Sequence, residues 1–376
     1  MQKKHLFLYL KTGGGHLAPA RSVANYIKAK HPGKVDPVLT DGFKGANKMI
    51  RYMVEDGYRI SQAKAVWIYE LLYAINKIHW IAKLTAFLIS LFIKPHLEKQ
   101  IMEQNPSKLV IFHFFLIKPV LQIVRKNKLN IPVIVVVTDP YTAHPFWFLD
   151  KSPEFIVFSE ELKKHCLQNG IRGNAVRVFP FILDEKFTKP LHPVLSHSIK
   201  KNLGFNPDKR LILILGGGDG IPKGKKILKN FLKNNQNAEV AIVCGRNLAL
   251  YKKAWKLKSK HNFTSLKIFG YVDFIYELIN ISDVVITKCG ASTFMEILIS
   301  GKIPVINNYL WEQEKGNMEF VCKNNLGLFE KNTGKLPGKI NELIYNPLIY
   351  QTYKTNIEKM SLQNGTPLVS EYIAYK

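Results

Sequence analysis

The sequence predicts an α/β protein with two doubly wound, Rossmann-like domains and an interdomain cleft. At two places a short apolar run leads straight into glycines, at residues 12–16 and 216–220. Short β-rich runs also alternate with stretches long enough for helices, which is typical of parallel sheets covered on both faces. Finally, 376 residues, of which 47% are hydrophobic, exceed one ordinary domain and can bury two cores.

The first domain begins with the run HLFLYL at residues 5–10. A glycine-rich loop follows, and then a helical pattern over residues 18–29. Further strands are predicted by the apolar runs at residues 109–115, 133–138, 154–159 and 176–179. From about residue 180 to 205 the pattern lapses into Pro, His, Ser and Lys, which predicts a linker.

The strand pattern restarts after this linker. Strands of a second parallel sheet are predicted at residues 211–218, 239–245, 266–272, 283–287 and 303–308. We therefore expect an N-terminal domain over residues 1–185 and a C-terminal domain over residues 200–348. A final helix, at about residues 350–376, is expected to cross back to the first domain. Ligands of such sheets lie at the carboxyl ends of the strands, so the glycines mark the cleft.

The composition is strongly basic. The chain has 54 Lys and Arg residues against 28 Asp and Glu, a net charge of +26, which leaves nucleic acid, an anionic membrane surface or an acidic substrate as partners. The first 183 residues hold 26 basic and 12 acidic residues, so no basic tail explains the excess. Lysine dominates, whereas base and phosphate recognition favours arginine. A diffuse attraction, or a bias of composition alone, fits this pattern better.

The cysteines and apolar tracts indicate the compartment. The four cysteines are widely spaced without a CxxC pair, so neither a disulfide framework nor a zinc site is indicated. The first apolar run is too short for a signal-peptide core. The longest tract, residues 78–93, is shorter than the ~20 residues that span a bilayer. We expect a soluble or peripheral protein of the cytoplasm.

Residues 58–101 are dense in Trp, Tyr, Leu and Ile, with lysines between them. The pattern predicts two helices with broad apolar faces and basic edges, and two interpretations stay open. The helices could belong to the core. Alternatively, they could enter the interface of an anionic membrane, with lysines on phosphates and aromatic rings at headgroup depth. Those rings are Trp67, Tyr69, Tyr73 and Trp80.

His16 closes the first glycine-rich loop, at the expected edge of the cleft. A histidine in this place is suited to act as a general base near neutral pH. The alternative is a histidine that only hydrogen-bonds the loop. The neighbouring glycines give it little to pack against, which favours the base.

Two segments of the second half are suited to a sugar nucleotide. The loop at residues 216–220, with lysines downstream, suits a diphosphate, although it is neither a P-loop nor a complete GxGxxG. In residues 287–317, Ser292 and Thr293 are predicted to open a helix with Glu296 in its first turn. These groups suit a phosphate and a ribose. A loop carrying Gln313, Glu314 and Asn317 suits sugar hydroxyls. The alternatives are a capping role for Glu296 and a solvated charge for Glu314.

In this order, the motifs resemble the diacylglycerol glycosyltransferases, a family that includes the monogalactosyldiacylglycerol synthases and the processive glucosyltransferases. They are relatives of the N-acetylglucosaminyltransferase that makes lipid II. The resemblance covers about residues 5–330 and rests on these segments: TGGGH, NPSKLVIFHFF, VVVTDPYTAHPFWF, FIVFSEELKKHCLQNGI, GGGDGIPKG, VCGRN, FGYV and TKCGAST…E…QEKGN. It implies the GT-B fold, an acceptor- and membrane-binding N-terminal domain, and a C-terminal domain that binds a UDP-sugar.

The resemblance also implies roles for single residues. His16 would be the catalytic base, and Asp139 would help to position the acceptor. Donor contacts would come from Gly217, Gly218, Arg246, Phe269, Gly270, Val272, Ser292, Thr293, Glu296, Gln313, Glu314 and Asn317. The acceptor or membrane side is assigned to Gly14, Gly15, Trp67, Tyr73, Trp80, Lys83, His113 and His144.

The implied reaction is inverting transfer of galactose or glucose from a UDP-sugar to diacylglycerol, on the cytoplasmic face of the cell membrane. The sequence contains no D-x-D pattern, so no metal clamp on the diphosphate is indicated, and no cofactor is expected. The expected partners are the UDP-sugar, the lipid and an anionic membrane surface, and not nucleic acid. Transfer of N-acetylglucosamine to a lipid-linked cell-wall precursor, or of a sugar to a sterol or another lipid, stays open. So does a basic nucleic-acid-binding or scaffold protein with a vestigial donor site.

Overall fold

The computed structural model describes residues 2–12, 14–45, 51–57, 66–188, 191–234 and 237–376. The side chains of Met53, Asp56, Val66, Tyr69 and Pro193 lie outside this description, and so does Gly13 of the first glycine-rich loop. The chain divides into two compact units. Unit 1 is Met1–Glu185 with Asn364–Lys376, and unit 2 is Lys186–Gln363.

Unit 1 is built on a six-stranded parallel sheet of order β2-β1-β3-β4-β5-β6. The strands are β1 (Lys3–Tyr9), β2 (Val35–Asp41), β3 (Lys108–Ile111), β4 (Val133–Val136), β5 (Glu154–Val157) and β6 (Val176–Val178). Their runs of Val, Ile, Leu and Phe are buried because helices cover the sheet. The strand order reverses between β1 and β3, so the ligand position of this fold lies at the carboxyl ends of these two strands.

The helices of unit 1 connect these strands and close the sheet. They are α1 (Gly14–Lys30), α2 (Val66–Ile75), α3 (His79–Gln104), α4 (Ile117–Lys126) and α5 (Glu160–Gln168), with a π-helical segment at Tyr52–Asp56. Short 3₁₀ segments lie at Phe114–Leu116, Pro145–Phe148 and Gly173–Ala175. Within residues 58–101, the structure thus has two helices where two were predicted, with residues 58–65 outside the described part.

Unit 2 repeats the architecture with sheet order β12-β11-β10-β7-β8-β9, also parallel throughout. The strands are β7 (Leu211–Leu215), β8 (Glu239–Val243), β9 (Leu266–Phe269), β10 (Val284–Thr287), β11 (Ile303–Ile306) and β12 (Leu328–Phe329). The helices are α6 (Pro193–Asn202), α7 (Gly224–Asn234), α8 (Leu248–His261), α9 (Ile275–Ile281), α10 (Ala291–Ile299), α11 (Trp311–Lys323), α12 (Leu336–Tyr345) and α13 (Pro347–Lys359), with a 3₁₀ segment at Glu185–Thr188. Here the order reverses between β7 and β10.

The predicted fold class of two doubly wound parallel sheets is confirmed. The C-terminal segment differs in detail from the expected single helix. It forms α13, which belongs to unit 2, and then α14 (Thr366–Tyr375), which belongs to unit 1. A Cβ on Gly365, between these helices, would overlap the carbonyl of Pro180. This close approach requires glycine where the chain returns to unit 1.

One side of helix α3 is buried against the rest of unit 1, and the other side is exposed, here called its bare side. Its buried residues follow a spacing of three and four, from Ala82 through Ile93 to Ile101. The helix is longer than the apolar tract that marks it in the sequence, because it continues to Gln104. Among the described helices it is the one whose length and mean hydropathy would suffice to cross a bilayer. Long helices in the cores of soluble proteins meet the same criterion.

Candidate catalytic centre and donor-binding loops

The loops at the switch point of unit 1 bring five polar side chains to one place. Thr12 and His16 follow β1, His113 follows β3, and Thr138 and Asp139 follow β4. All five are buried. These strands are neighbours in the sheet, so their carboxyl ends share one edge. The tertiary fold therefore gathers residues that lie more than a hundred positions apart in sequence.

His16 is held in a defined protonation state. Its Nδ1 lies 2.8 Å from the carbonyl oxygen of Phe112 and 2.9 Å from Oγ1 of Thr138. A carbonyl oxygen only accepts, so Nδ1 must carry the proton and donate to Phe112. In the neutral ring, Nε2 is then the atom with the free electron pair. The loop contact, one of the two alternatives left by the sequence, is therefore present at Nδ1, and it leaves Nε2 free for the predicted role as a base.

His113 supports this arrangement from the neighbouring loop. Its Nδ1 accepts from the backbone N–H of Phe115 at 3.2 Å, so Nε2 carries the proton and donates to Oγ1 of Thr12 at 3.1 Å. The rings of His113 and His16 lie 4.3 Å apart between centroids. His113, predicted to line the acceptor side, thus also packs against the predicted base.

Burial controls the charge of both histidines. It lowers the pKa of His16 to about 4 and outweighs the hydrogen bond to Phe112, which acts in the opposite direction. The pKa of His113 is lowered well below its usual 6.5, first by burial and then by His16. His16 is therefore neutral over the whole physiological range.

Acid should destabilise this protein through its buried histidines. His5 has its pKa lowered to about 4 by burial and by Lys108 and Lys3, and it joins His16 and His113. The unfolded chain binds protons below about pH 6.5 and the folded chain does not. Stability is therefore complete above pH 6.5 and is lost as the pH falls towards 4. Denaturant unfolding at pH 7, 6 and 5 measures this decline.

His5→Leu provides the matched variant for that experiment. His5 is buried in β1, and its Nδ1 has no hydrogen-bond partner among the described residues. Without His5, the free energy of unfolding should fall less steeply with decreasing pH, because one proton fewer is taken up on unfolding. The loops at the switch point should stay unchanged. A pH slope identical to that of the parent would contradict the assignment of His5.

Asp139 and His144 both lie in the segment that follows β4. Oδ2 of Asp139 accepts from Nε1 of Trp147 at 3.0 Å, and that indole lies 6.3 Å from the His16 ring. His144 contacts the ring of Tyr73 edge-on at 4.4 Å, and its Nε2 lies 3.3 Å from the Tyr73 carbonyl. Tyr73 therefore joins α2 to the loop after β4.

The other predicted acceptor-side residues divide into two groups. Gly14 and Gly15 begin α1, and a Cβ on either would meet no atom of the described residues within 4 Å. Trp67 and Trp80 are 67% and 66% exposed, and Lys83 is exposed too. The second group lies on the bare side of α2 and α3.

In unit 2, the glycines after β7 form a tight loop against the loop after β8. Gly217 and Gly220 have φ of 78° and 76°, and Gly245 has φ of 58°, in the left-handed region that favours glycine. A Cβ on Gly245 would lie 2.2 Å from the Gly218 carbonyl oxygen. The N–H of Arg246 donates to this same oxygen at 2.8 Å. The two loops are thus fixed to each other through their backbones.

Arg246 and Thr293 border this glycine loop. A Cβ on Gly218 would lie 3.9 Å from Nη1 of Arg246, and one on Gly217 would lie 3.9 Å from Oγ1 of Thr293. The guanidinium of Arg246 lies 4.9 Å from the ring centroid of Tyr271, in the loop after β9. Separate sequence motifs therefore meet within a few ångströms.

The loop after β10 has a strained backbone and is held by side chains of α11. Cys289 has a positive φ of 49°, uncommon for a residue with a side chain. The amide of Asn317 donates to its carbonyl at 3.0 Å. Oε2 of Glu314 accepts from the N–H of Leu310, and Oε1 lies 3.6 Å from Nζ of Lys288. Glu314 and Asn317 thus hold this loop in place.

Two local predictions about this region are wrong. Gln313, Glu314 and Asn317 lie in helix α11 and not in a loop. Glu314 is buried, which excludes the alternative of a solvated charge. Glu296 lies in the second turn of α10, because the helix begins at Ala291. Ser292 and Thr293 do lie in its first turn, as predicted. Phe269 ends β9, and Gly270 and Val272 follow it at the same sheet edge.

Sequence reasoning missed several residues of these loops. Thr12, Phe112 and Thr138 fix the histidines, while Tyr271 and Lys288 contact Arg246 and Glu314. Thr138 could have been found, because it precedes Asp139 in the motif TDP. The carbonyl of Phe112 leaves no signal in sequence, since any residue has one. In the described part of the chain, no group of three or more His, Cys, Asp and Glu side chains is arranged to hold a metal ion.

Solved structures share this fold at low sequence identity. MurG of Acinetobacter baumannii matches with a TM-score of 0.65 and 12% identity, covering 100% of both chains. A glycosyltransferase of Rickettsia africae covers 100% of this chain and 98% of its own, with a TM-score of 0.61 and 15% identity. A UDP-GlcNAc 2-epimerase of Neisseria meningitidis has a TM-score of 0.62, 13% identity and coverage of 99% and 100%. The fold is therefore that of the GT-B glycosyltransferases, and it also serves epimerisation.

Sequence comparison narrows this class to a family. Residues 16–180 match the model of monogalactosyldiacylglycerol (MGDG) synthase, and residues 211–365 match the C-terminal domain of glycosyltransferase family 28. The N-terminal half of the chain thus matches the MGDG synthases and the C-terminal half matches glycosyltransferase family 28, in agreement with the resemblance of its motifs.

Curated relatives agree with this assignment. The chain is 27% identical to chloroplastic monogalactosyldiacylglycerol synthase 2 of Arabidopsis thaliana, over 90% of this chain and 73% of that protein. It is 26% identical to a probable chloroplastic monogalactosyldiacylglycerol synthase of Nicotiana tabacum, over 89% of this chain and 63% of that protein. The chain thus spans between three-fifths and three-quarters of the length of these two relatives.

Proposed function

We propose that this protein transfers a hexose from a UDP-sugar to diacylglycerol, with inversion, at the cytoplasmic face of the cell membrane. The observation that carries the proposal is the state of His16. Its Nδ1 proton is held by the carbonyl of Phe112, which leaves Nε2 as a neutral base at the switch point of the sheet. The family assignment identifies the reaction that such a base would serve.

The proposed chemistry needs one proton transfer and one displacement. Nε2 of His16 takes the proton of the acceptor hydroxyl as the hydroxyl oxygen attacks the anomeric carbon of the sugar. The bond from that carbon to the UDP oxygen breaks, and UDP leaves with the electron pair. Backbone N–H groups of the Gly217–Gly218 loop, the first turn of α10 and the Arg246 guanidinium would stabilise the negative charge.

Residues of unit 2 are proposed to hold the rest of the donor. Glu296 would accept from the ribose hydroxyls, and Phe269, Gly270 and Val272 would contact the uracil through backbone groups. Gln313, Glu314 and Asn317 would contact the sugar. We infer that Glu314 and Asn317 also act indirectly, since they hold Lys288 and Cys289 of the neighbouring loop. The names of the curated relatives favour galactose over glucose.

The bare side of α2 and α3 supports a membrane-bound acceptor. Its exposed residues, here called the apolar face, are Trp67, Leu71, Leu72, Trp80, Leu84, Leu88 and Leu91. Removing one such side chain from water is worth roughly 1.5–3 kcal/mol. The opposite side of α3, with Ala82, Ala86 and Ser90, is buried in unit 1, so this helix serves the core and the apolar face together. Exposed lysines beside them, Lys77 and Lys83, suit phosphate headgroups.

A donor and acceptor screen tests the proposal. Release of UDP would be measured from UDP-galactose, UDP-glucose and UDP-N-acetylglucosamine. Each donor is tested with anionic vesicles that contain diacylglycerol, a lipid-linked cell-wall precursor or a sterol, and with vesicles that lack all three. We expect diacylglycerol-dependent release from UDP-galactose. Release from UDP-N-acetylglucosamine with a lipid-linked precursor alone, or with a sterol alone, would refute diacylglycerol as acceptor. Vesicle binding without any UDP release would refute catalysis.

A further inference from the structure

Two neighbouring helices of unit 2 concentrate positive charge. Helix α7 carries four lysines and α8 carries five, and neither contains an aspartate or a glutamate. The exposed members, here called the basic face, are Lys225, Lys226, Lys229, Lys233, Lys252, Lys253, Lys256 and Lys260. The even division of charge between the two halves of the sequence conceals this concentration.

The fold places both helices on one side of the sheet. Strands β7, β8 and β9 are parallel neighbours in this order, and right-handed crossovers therefore put α7 and α8 on the same face. Each helix buries its apolar residues, such as Phe231 in α7 and Ala254 in α8. The lysines of both helices consequently project from one surface.

The charge of the basic face is not balanced within the described part of the chain, where none of its lysines forms an ion pair. Elsewhere in unit 2, lysines do pair, for example Lys315 with Glu319 at 3.3 Å and Lys339 with Glu330 at 2.8 Å. Within α8, Lys252, Lys256 and Lys260 follow one another at four-residue spacing. Like charges at this spacing repel, and an anionic partner would relieve that repulsion.

We propose that the basic face docks on the anionic headgroups of a phospholipid membrane. Apolar side chains stand among the lysines: Trp255 is 44% exposed with Nζ of Lys258 5.3 Å from its ring centroid, and Leu248 is 70% exposed. An indole beside lysines suits the headgroup layer. The two helices contain no arginine, the residue that nucleic-acid recognition favours, so a membrane fits better than DNA or RNA.

This contact differs in kind from the apolar face of unit 1. It is electrostatic, so salt should weaken it and neutral lipid should not support it. It goes beyond the proposed function, because binding through unit 2 requires no glycosyl transfer. Its failure can therefore be distinguished from failure of that function by measuring vesicle binding and UDP release separately.

The test compares two triple variants of the full chain. The first variant replaces Lys252, Lys253 and Lys256 with Gln and so removes part of the basic face. The control replaces the exposed Lys323, Lys331 and Lys335 of unit 2 with Gln. Co-sedimentation is measured at low and high salt with phosphatidylcholine vesicles, with and without phosphatidylglycerol, and binding to a DNA duplex is measured in parallel. A lysine near an anionic surface contributes about fivefold to binding, so the first variant should lose at least about tenfold in affinity at low salt. The control should lose much less.

Each outcome decides the proposal. The loss should disappear at high salt and on pure phosphatidylcholine, while the apolar-face variant Trp67 and Trp80→Ser should lose binding to both kinds of vesicle. Retained UDP binding and an unchanged Tm would show that unit 2 of the first variant is folded. Equal losses of vesicle affinity in both triple variants would overturn the proposal, because the attraction would then come from the overall positive charge of the chain. Unchanged vesicle binding together with lost DNA binding would assign the basic face to nucleic acid.

Discussion

Replacing His16 with alanine should lower glycosyl transfer by at least about a hundredfold, the lower end of what general base catalysis contributes. The variant removes Nε2, the atom that the Phe112 hydrogen bond leaves as a base. UDP binding should stay nearly unchanged, because His16 belongs to unit 1 and the glycine loops after β7 and β8 belong to unit 2. Initial rates of transfer and calorimetric UDP binding measure the two effects.

Two further variants make the His16 result interpretable. Alanine leaves the Phe112 carbonyl without its donor, a cost of about 1–3 kcal/mol, so Tm must be recorded alongside activity. Thr138→Val keeps the Phe112 bond and removes only the hydroxyl, so its activity should lie between those of the parent and of His16→Ala. His261→Ala, an exposed histidine of α8, should be silent. Full activity of His16→Ala would contradict the assignment of the base.

Replacing Gly245 with alanine should weaken UDP binding severely. Its Cβ would lie 2.2 Å from the carbonyl oxygen and 2.7 Å from the carbonyl carbon of Gly218, and φ at Gly245 is positive. Both neighbours are backbone atoms, so the glycine loop after β7 must move. The expected result is a Kd for UDP raised by two orders of magnitude or more, about 3 kcal/mol. Titration with UDP measures it without any acceptor.

Gly338→Ala is the matched control for this glycine variant. Gly338 lies in α12 of the same unit, and a Cβ there would meet nothing within 4 Å. Alanine in a helix is favoured over glycine by roughly 0.5–1 kcal/mol, so this variant should be slightly more stable and bind UDP normally. Tight UDP binding by Gly245→Ala would show that the donor lies away from this loop.

The strands show which elements of the fold sequence patterns predict and which they miss. Runs of Val, Ile, Leu and Phe predicted the buried parallel strands of both sheets, because a strand covered on both faces needs an uninterrupted apolar run. Strand β2 escaped prediction, since Val35–Asp41 includes Asp36 and Pro37 and lies at the sheet edge, where proline is tolerated. Strand β12 has only two residues, too few for any pattern.

The sequence alone determined the class of this protein. Glycine-rich loops after apolar runs, and the order of the motifs to residue 317, predicted the two sheets, the family, and His16 as the candidate base. These properties depend on local chemistry: glycine's backbone freedom and the burial of parallel strands are visible in neighbouring residues.

Only the tertiary structure decided how those residues are held. The tautomer of His16 depends on the carbonyl of Phe112, 96 residues away. The strained backbone at Cys289 is held by the side-chain amide of Asn317, 28 residues away. The charge that the sequence divides evenly becomes a basic face only when α7 and α8 lie side by side. Contacts of this kind depend on which strands are neighbours, and no local pattern encodes that order.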